Sequence, residues 1–387
     1  MRTQKQSKME LVRRWPRVAL VLAFCAFMCV RAEACTIFVL TDTNRVLFCN
    51  NEDWSNPKTR IWFVPAQSTN YGCVYVGFDD GFPQGGMNTE GLASDWVAGY
   101  DGAWQPDPSL PTSAGNRQLL ETCATVEDAI AYFRSHREMG FYTSRILVAD
   151  RTGASAIIGA KEGKLQVERS THCRGFGYGR QTLDRMLDAR SSEPTPANGF
   201  SILRACLQKG EFATKYSNIF DLKSGDIFLL PNPGEGDETK MNLSVELEKG
   251  AHYYDIPKIR EQLSEPLRLF PANVGWAGLD DYKPIPDKEP KVTEHVRAMW
   301  QDILIGKMHA DDYTTEAWKE ASTSVKLGGA IIKSLGGLKS LTLVDRSDEG
   351  KKRTYRYRVE FEKNTLLQRF VFDEKNKVVS CPTEDIR

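Results

Sequence analysis

The residue best placed to do chemistry is Cys35, which directly follows Ala32-Glu33-Ala34. Small residues at the first and third positions of such a triplet are what a signal peptidase inspects. A cut there makes Cys35 the first residue and sets its thiol beside a free α-amine. With a pKa of roughly 7.7–8.0, that amine is a usable base at neutral pH. It can take the thiol proton, let the sulfur attack an acyl carbon, and then protonate the leaving group. Before the cut the same nitrogen is an amide without basicity, so export and activation would be one event. Position alone leaves two other readings open. Cys35 could be a buried cysteine that falls near a mature terminus by chance. It could also be a lipid-bearing lipoprotein cysteine, which Arg31, Ala32 and Glu33 fit poorly.

The preceding segment reads as a secretory signal. A basic stretch ends at Arg17, and the apolar run Val18–Val30 follows. Its thirteen residues suit a signal core but fall short of the about 20 needed to cross a bilayer. Residues 1–34 are therefore expected to be removed, leaving an exported protein, periplasmic or extracellular, without a stable membrane anchor. An uncleaved anchor or a buried helix is the competing reading, disfavoured by length and flanks.

The full chain balances 51 basic against 51 acidic side chains, but loss of the first 34 leaves 44 against 49, about −5. That charge gives no footing for a nucleic-acid surface. Seven of the nine cysteines remain after the cut: Cys35, Cys49, Cys73, Cys123, Cys173, Cys206 and Cys381. An odd number in an exported protein points to a free thiol. The other six could form disulfides, or all could be buried thiols. No spacing resembles a zinc cluster. No metal is expected, and no organic cofactor.

The elements that must position Cys35 begin at once. Thr36–Leu40 and Val46–Phe48, separated by Asp42-Thr-Asn44, predict a hairpin starting at the new terminus. Short strands follow at 61–64, 73–78 and 91–97. A helix is expected over Thr125–Ser135, with Thr125 as its N-cap and Val126, Ala129, Ile130, Tyr132 and Phe133 on one face. A hairpin around Asp150-Arg-Thr-Gly153, helices near 180–189 and 200–209, and strands at 219–222 and 227–230 complete an α+β pattern. Prolines between 271 and 291 read as a linker. A module at 292–387 then shows two helical stretches and several charged, alternating strands.

Cys35-Thr-Ile-Phe38 with Val46-Leu-Phe-Cys-Asn-Asn-Glu-Asp-Trp54 resembles the opening of the choloylglycine hydrolase and penicillin V acylase superfamily, nearer its linear-amide hydrolase branch. Gly86-Met-Asn-Thr-Glu-Gly-Leu92, Ile146–Gly153, Tyr216–Leu222 and Asn242–Leu247 resemble further family segments in order, over about residues 35–257. The resemblance implies a four-layer αββα N-terminal-nucleophile hydrolase domain at 35–270. It implies Cys35 as nucleophile and Asp53 orienting its amine and thiol. Asn51 matches the family's Arg-Asn-x-Asp motif, while Asn50 stands where the family has Arg, which bears on substrate choice. Asn88 matches a segment read as mainly structural, with a possible part in substrate binding. By the same alignment His172 stands where the family places the oxyanion-donating Asn, and Arg180 resembles the family's helix Arg; His172 could equally be a surface or core residue. Trp96, with Trp54, Trp62 and Trp104, would line an acyl pocket or simply belong to the core.

The glycines of Gly175-Phe-Gly-Tyr-Gly179 do not make a nucleotide-binding loop, because the sixth-position glycine and a βαβ setting are missing. The C-terminal module resembles small cystatin-like or nuclear-transport-factor-like α+β domains and is expected to mediate dimerisation or to cover the site. The chain thus reads as an exported hydrolase of linear N-acyl amides in small molecules, and the resemblance allows a homo-oligomer. The alternatives are a catalytically degenerate binding or scaffold protein on the same fold, and an acyltransferase.

Overall fold

The computed structural model describes residues 35–188, 193–233, 236–265, 268–269 and 282–384, so the expected signal segment and most of the expected linker lie outside it. Two antiparallel sheets face each other. The first runs β10 (Arg174–Gly177), β1 (Thr36–Thr41), β2 (Val46–Asp53), β11 (Thr214–Asp221), β12 (Asp226–Leu230) and β13 (Thr239–Asn242). The second runs β15 (Arg268–Leu269), β14 (His252–Asp255), β3 (Thr59–Val64), β4 (Cys73–Phe78), β5 (Pro83–Asn88), β6 (Ala93–Ala98), β7 (Ser144–Ala149), β8 (Ser155–Lys161) and β9 (Lys164–Ser170).

Alternation along the strands sends one face of each sheet into a shared core. Ile37, Val39, Phe48 and Phe220 of the first sheet meet Phe63, Val76, Val97 and Leu147 of the second. The outward faces are covered by helices. Phe38, Leu47 and Ile219 pack on Leu183 of α3 (Arg180–Leu187) and Phe200 and Leu203 of α4 (Pro196–Ala205). On the other side Tyr75, Ile146 and Ile158 pack on Leu119 and Leu120 of α1 (Gly115–Thr122) and Ile130 and Phe133 of α2 (Val126–Ser135). The result is a four-layer αββα sandwich of the α+β class.

Helix α2 buries the five apolar residues its periodicity selects, and Thr125 closes a capping box with Asp128. Helix α4 starts earlier than expected, at Pro196. Thr195 accepts from Asn198 N, and proline at N1 lacks only a donor that would be orphaned there anyway. Helix α1, strands β9 and β10, and the short helix α5 (Leu243–Glu248) were not legible as such. In β10 glycine is required by contact: a Cβ at Gly175 would collide with Phe38, and one at Gly177 (φ 116°) with the Cys35 carbonyl. Among the described residues no disulfide joins any of the seven cysteines, so the expected alternative of disulfides is not realised.

Each sheet is tied to its helix layer by one asparagine. Asn51 Nδ2 donates to the carbonyls of Leu203 (2.9 Å) and Cys206 (3.4 Å) at the end of α4. Asn88 Nδ2 donates to those of Leu120 and Cys123, both at 2.7 Å, at the end of α1. They lie at helix C-termini, where carbonyls run short of backbone donors; Leu203 O also accepts from Cys206 N.

Beyond the sandwich, α6 (Ile259–Gln262) is followed by α7 (Pro290–Leu304), α8 (Thr315–Leu327) and α9 (Gly329–Ser334). Helices α7 and α8 pack on an antiparallel sheet of β16 (Leu338–Glu349), β17 (Lys352–Phe361), β18 (Thr365–Phe372), β19 (Val378–Ser380) and β20 (Thr383–Glu384). This unit has its own core, built on Trp300, Tyr357, Phe361 and Phe370.

Asn88 also accepts from Glu90 N and Leu92 N through Oδ1. Asn88→Ala should therefore lower stability by about 2–4 kcal/mol, since two buried carbonyls and a turn lose their partner. Urea unfolding at fixed pH measures this; an unchanged midpoint would show the tie to be dispensable.

Candidate active site

The hairpin β1–β2 is closed by Asp42, whose Oδ1 accepts from Asn44 N and Arg45 N. Its register sets Ile37 opposite Asn50 and Thr36 opposite Asn51, which places Cys35 beside Glu52 at the hairpin's open end. Strand β11 continues the rows on the other side of β2, with Asn218 opposite Asn50 and Tyr216 opposite Glu52. The face that carries Val46 and Phe48 into the shared core therefore ends in Asn50 and Glu52. Polar side chains interrupt an apolar interior.

Cys35 is held mainly by its neighbour across the hairpin. Its backbone N donates to Asp53 Oδ2 at 2.9 Å, and Asp53 N donates to Sγ at 3.5 Å. Thr214 donates to the other carboxylate oxygen, Oδ1, at 2.5 Å. Glu52 Oε1 stands 3.7 Å from Sγ, while Oε2 accepts from Tyr216 OH (3.3 Å) and Asn50 Nδ2 (3.4 Å). Cys35 adopts φ 63°, in the left-handed region that costs a side-chain-bearing residue of order 1 kcal/mol or more.

The electrostatics are one-sided. Burial, then the charges of Glu52 and Asp53, push the Cys35 thiol well above its ordinary range. Burial raises Asp53 to about 7 against the bonds from Thr214 and Cys35 N. Glu52 is raised well above the carboxylate range by burial and then by Asp95, which burial itself lifts to about 8. Asp95 lies on β6, whose Ala93 and Val97 face the shared core, so it approaches from the opposing sheet. Among the described residues, Asp95 Oδ2, Asn50 Oδ1 and Asn218 Nδ2 are buried without a hydrogen-bond partner.

Of the side chains singled out in the sequence, Cys35, Asn50 and Asp53 come together here. Five others do not. Asn51 and Asn88 are spent on helix carbonyls, in the outward direction from the site. Trp96 faces the helix layer, against Phe133 and Phe141. His172 is exposed in the turn between β9 and β10, where its backbone N donates to Ser170 Oγ. It does not stand beside Cys35, because the chain enters β10 only at Arg174. Arg180 is exposed and pairs with Asp184 within α3 at 2.8 Å. It borders a cavity of about 440 Å³ together with Tyr100, Arg145, Arg174 and Phe176, along the β10 edge. Glu52, Asp95, Thr214, Tyr216 and Asn218 were not anticipated. Alternation from Val46 and Phe48 was a usable signal for Glu52; Asp95, one residue from Trp96 but on the opposite face, required the sheet pairing.

The described residues contain no group of three or more His, Cys, Asp or Glu able to hold a metal. No protein-family model and no curated protein sequence matches the chain. Among solved structures it is similar to penicillin V acylase from Agrobacterium tumefaciens, with 16% identity over 57% of this chain and 91% of that one, at a TM-score of 0.44. Two variants of the conjugated bile acid hydrolase from Clostridium perfringens also align, each at 15% identity. One covers 57% of this chain and 96% of its own at a TM-score of 0.45; the other covers 62% and 100% at 0.46.

An Asp95 carboxyl raised from 3.8 to about 8 favours folding while protonated, and that contribution fades as pH rises between those values. Asp95→Asn cannot ionise. Its stability advantage over the wild type should grow from pH 4 to pH 8 and then level off, as followed by urea unfolding across pH. A constant difference would place the Asp95 proton elsewhere.

Proposed function

We propose that this chain is an exported amide hydrolase of the choloylglycine hydrolase and penicillin V acylase superfamily, activated by removal of residues 1–34. The observation that carries the reading is the double hold on Cys35: one residue, Asp53, contacts both its nitrogen and its sulfur. While Cys35 N is an amide, that arrangement is idle, and burial among carboxylates keeps the sulfur protonated. Once the bond before Cys35 is cut, the nitrogen becomes an amine within 2.9 Å of the Asp53 carboxylate. The positive φ of Cys35 also ceases to be a restraint, because it is defined only with a preceding residue.

The amine then takes the thiol proton, and the ammonium stabilises thiolate and Asp53 together. Sulfur attacks the acyl carbon of a linear amide, the amine component departs, and water hydrolyses the thioester. Asn218 Nδ2, buried and unpartnered in the row of Asn50 and Ile37, two residues along the same face from the row of Glu52 and Tyr216, is a donor suited to the developing oxyanion, the task the family resemblance assigned to His172. Asn50, in place of a family arginine, leaves the site without that positive charge and favours a substrate whose acyl portion needs no cationic partner there.

A specific feature supports the rival reading of a binding protein on a retired hydrolase fold: Cys35 is only 6% exposed and its thiol is raised by its surroundings. The two readings part on reactivity. The exported protein should begin at an unmodified Cys35, take up iodoacetamide at that thiol first, and lose N-acyl amide turnover in step. Cys35→Ala should lower turnover by more than about 10³-fold. Intact mass, N-terminal sequencing and labelling kinetics decide this. A chain starting elsewhere, lipidated, or labelled first at another cysteine would overturn the hydrolase reading.

A further inference from the structure

The mechanism above leaves one contact of the reacting sulfur unused. Glu52 stands beside Cys35 in the hairpin register, on the side away from the Cys35 nitrogen's partner Asp53, with Oε1 3.7 Å from Sγ. Its orientation is built rather than incidental. Tyr216 OH and Asn50 Nδ2 both reach Oε2, from the neighbouring strand and from the same face of β2, which leaves Oε1 turned to the sulfur. Glu52 is 4% exposed and has no cationic partner among the described residues; Asp95 faces it from the opposing sheet. Burial without a counter-charge pushes such a carboxyl toward its protonated form, which is the state a general acid needs.

We propose, resting on the hydrolase reading, that Glu52 is a second catalytic residue: the acid that protonates the departing amine while the Cys35 α-amine serves only as base. The balance closes over both half-reactions. In the first, the S–H bond breaks and its proton goes to the α-amine, the C–S bond forms, and the C–N bond breaks as Oε1–H delivers its proton to the leaving nitrogen. Glu52 ends as a carboxylate and the terminus as an ammonium. In the second, that carboxylate takes a proton from the attacking water, the C–S bond breaks, and the ammonium returns its proton to the thiolate. One amide and one water become one acid and one amine, with every group restored. Dividing the work in this way spares a single amine from acting as base and acid within one step.

The test compares an amide with an ester whose leaving group needs no proton. In the mature protein, Glu52→Gln keeps an acceptor for Tyr216 but has no transferable proton. Its hydrolysis of an N-acyl amide should fall by about 10²–10³-fold, whereas the initial burst of nitrophenol from the matching p-nitrophenyl ester should stay within about threefold of wild type. The acyl group should then persist on Cys35, seen by intact mass, because water attack has lost its base. Equal loss of the ester burst and amide turnover would show that Glu52 merely builds the site, and unchanged amide turnover would show that the α-amine needs no help; either overturns the proposal. Absence of a burst in the wild type, or its persistence in Cys35→Ala, would instead reject the hydrolase reading.

Discussion

The contact between the Cys35 nitrogen and the Asp53 carboxylate, 2.9 Å long and closed by an eight-residue strand running back beside β1, is what the remainder of the site is arranged around. It fixes the residue that leads directly into β1. It also brings Sγ under Asp53 N and beside Glu52. Thr214 restrains Asp53 from the third strand, so a displacement of β11 would reach the sulfur through one side chain.

Holding these groups between two sheets has a cost that the protein bears in an orderly way. Glu52 and Asp95 are each nearly inaccessible, and two carboxylates in an apolar interior are tolerable only when at least one keeps its proton. The apolar rows below them, Ile37 with Phe48 and Phe220, supply the packing that keeps the sandwich closed over this polar end. Helix layers add rigidity from outside. Asn51 and Asn88 secure α4 and α1 by the same device, one amide spanning two carbonyls three residues apart, once in each sheet. Asn51 thus sits in the active strand and serves the scaffold, while Asn50 and Glu52 on either side of it face the site.

The C-terminal unit is built differently, from helices α7 and α8 packed on an antiparallel sheet. Its buried ionic set, Arg356 with Glu384 and Asp345 and Arg369 with Glu384, lies within the unit itself. An ion pair from Lys319 to Glu211 at 3.2 Å reaches the sandwich; it is exposed, and such pairs contribute at most about 1 kcal/mol.

Local physics made much of this legible. The β-branched opening strand, the Asp-Thr-Asn turn, the capped and periodic helix at Thr125, and the position of Cys35 after small residues are all short-range signals, and the hairpin alone dictated that Asp53 returns to Cys35. What escaped depended on distance. Helix α1 carries few periodic apolar residues and exists because Asn88 and the second sheet receive it. Strand β10 is glycine-rich because Phe38 and the Cys35 carbonyl press against it, so its pattern looked like a loop. His172 and Trp96 were assigned from alignment and composition, yet the turn before β10 and the pleat of β6 turn them away from the sulfur. Which of two adjacent residues meets Cys35 is set by strand pairing across more than 150 positions for Tyr216 and by the facing of two sheets for Asp95. No local propensity encodes a register of that range. The sequence determined Cys35 and its immediate partner Asp53; tertiary packing alone decided that Glu52, Asn218 and Asp95 gather around them.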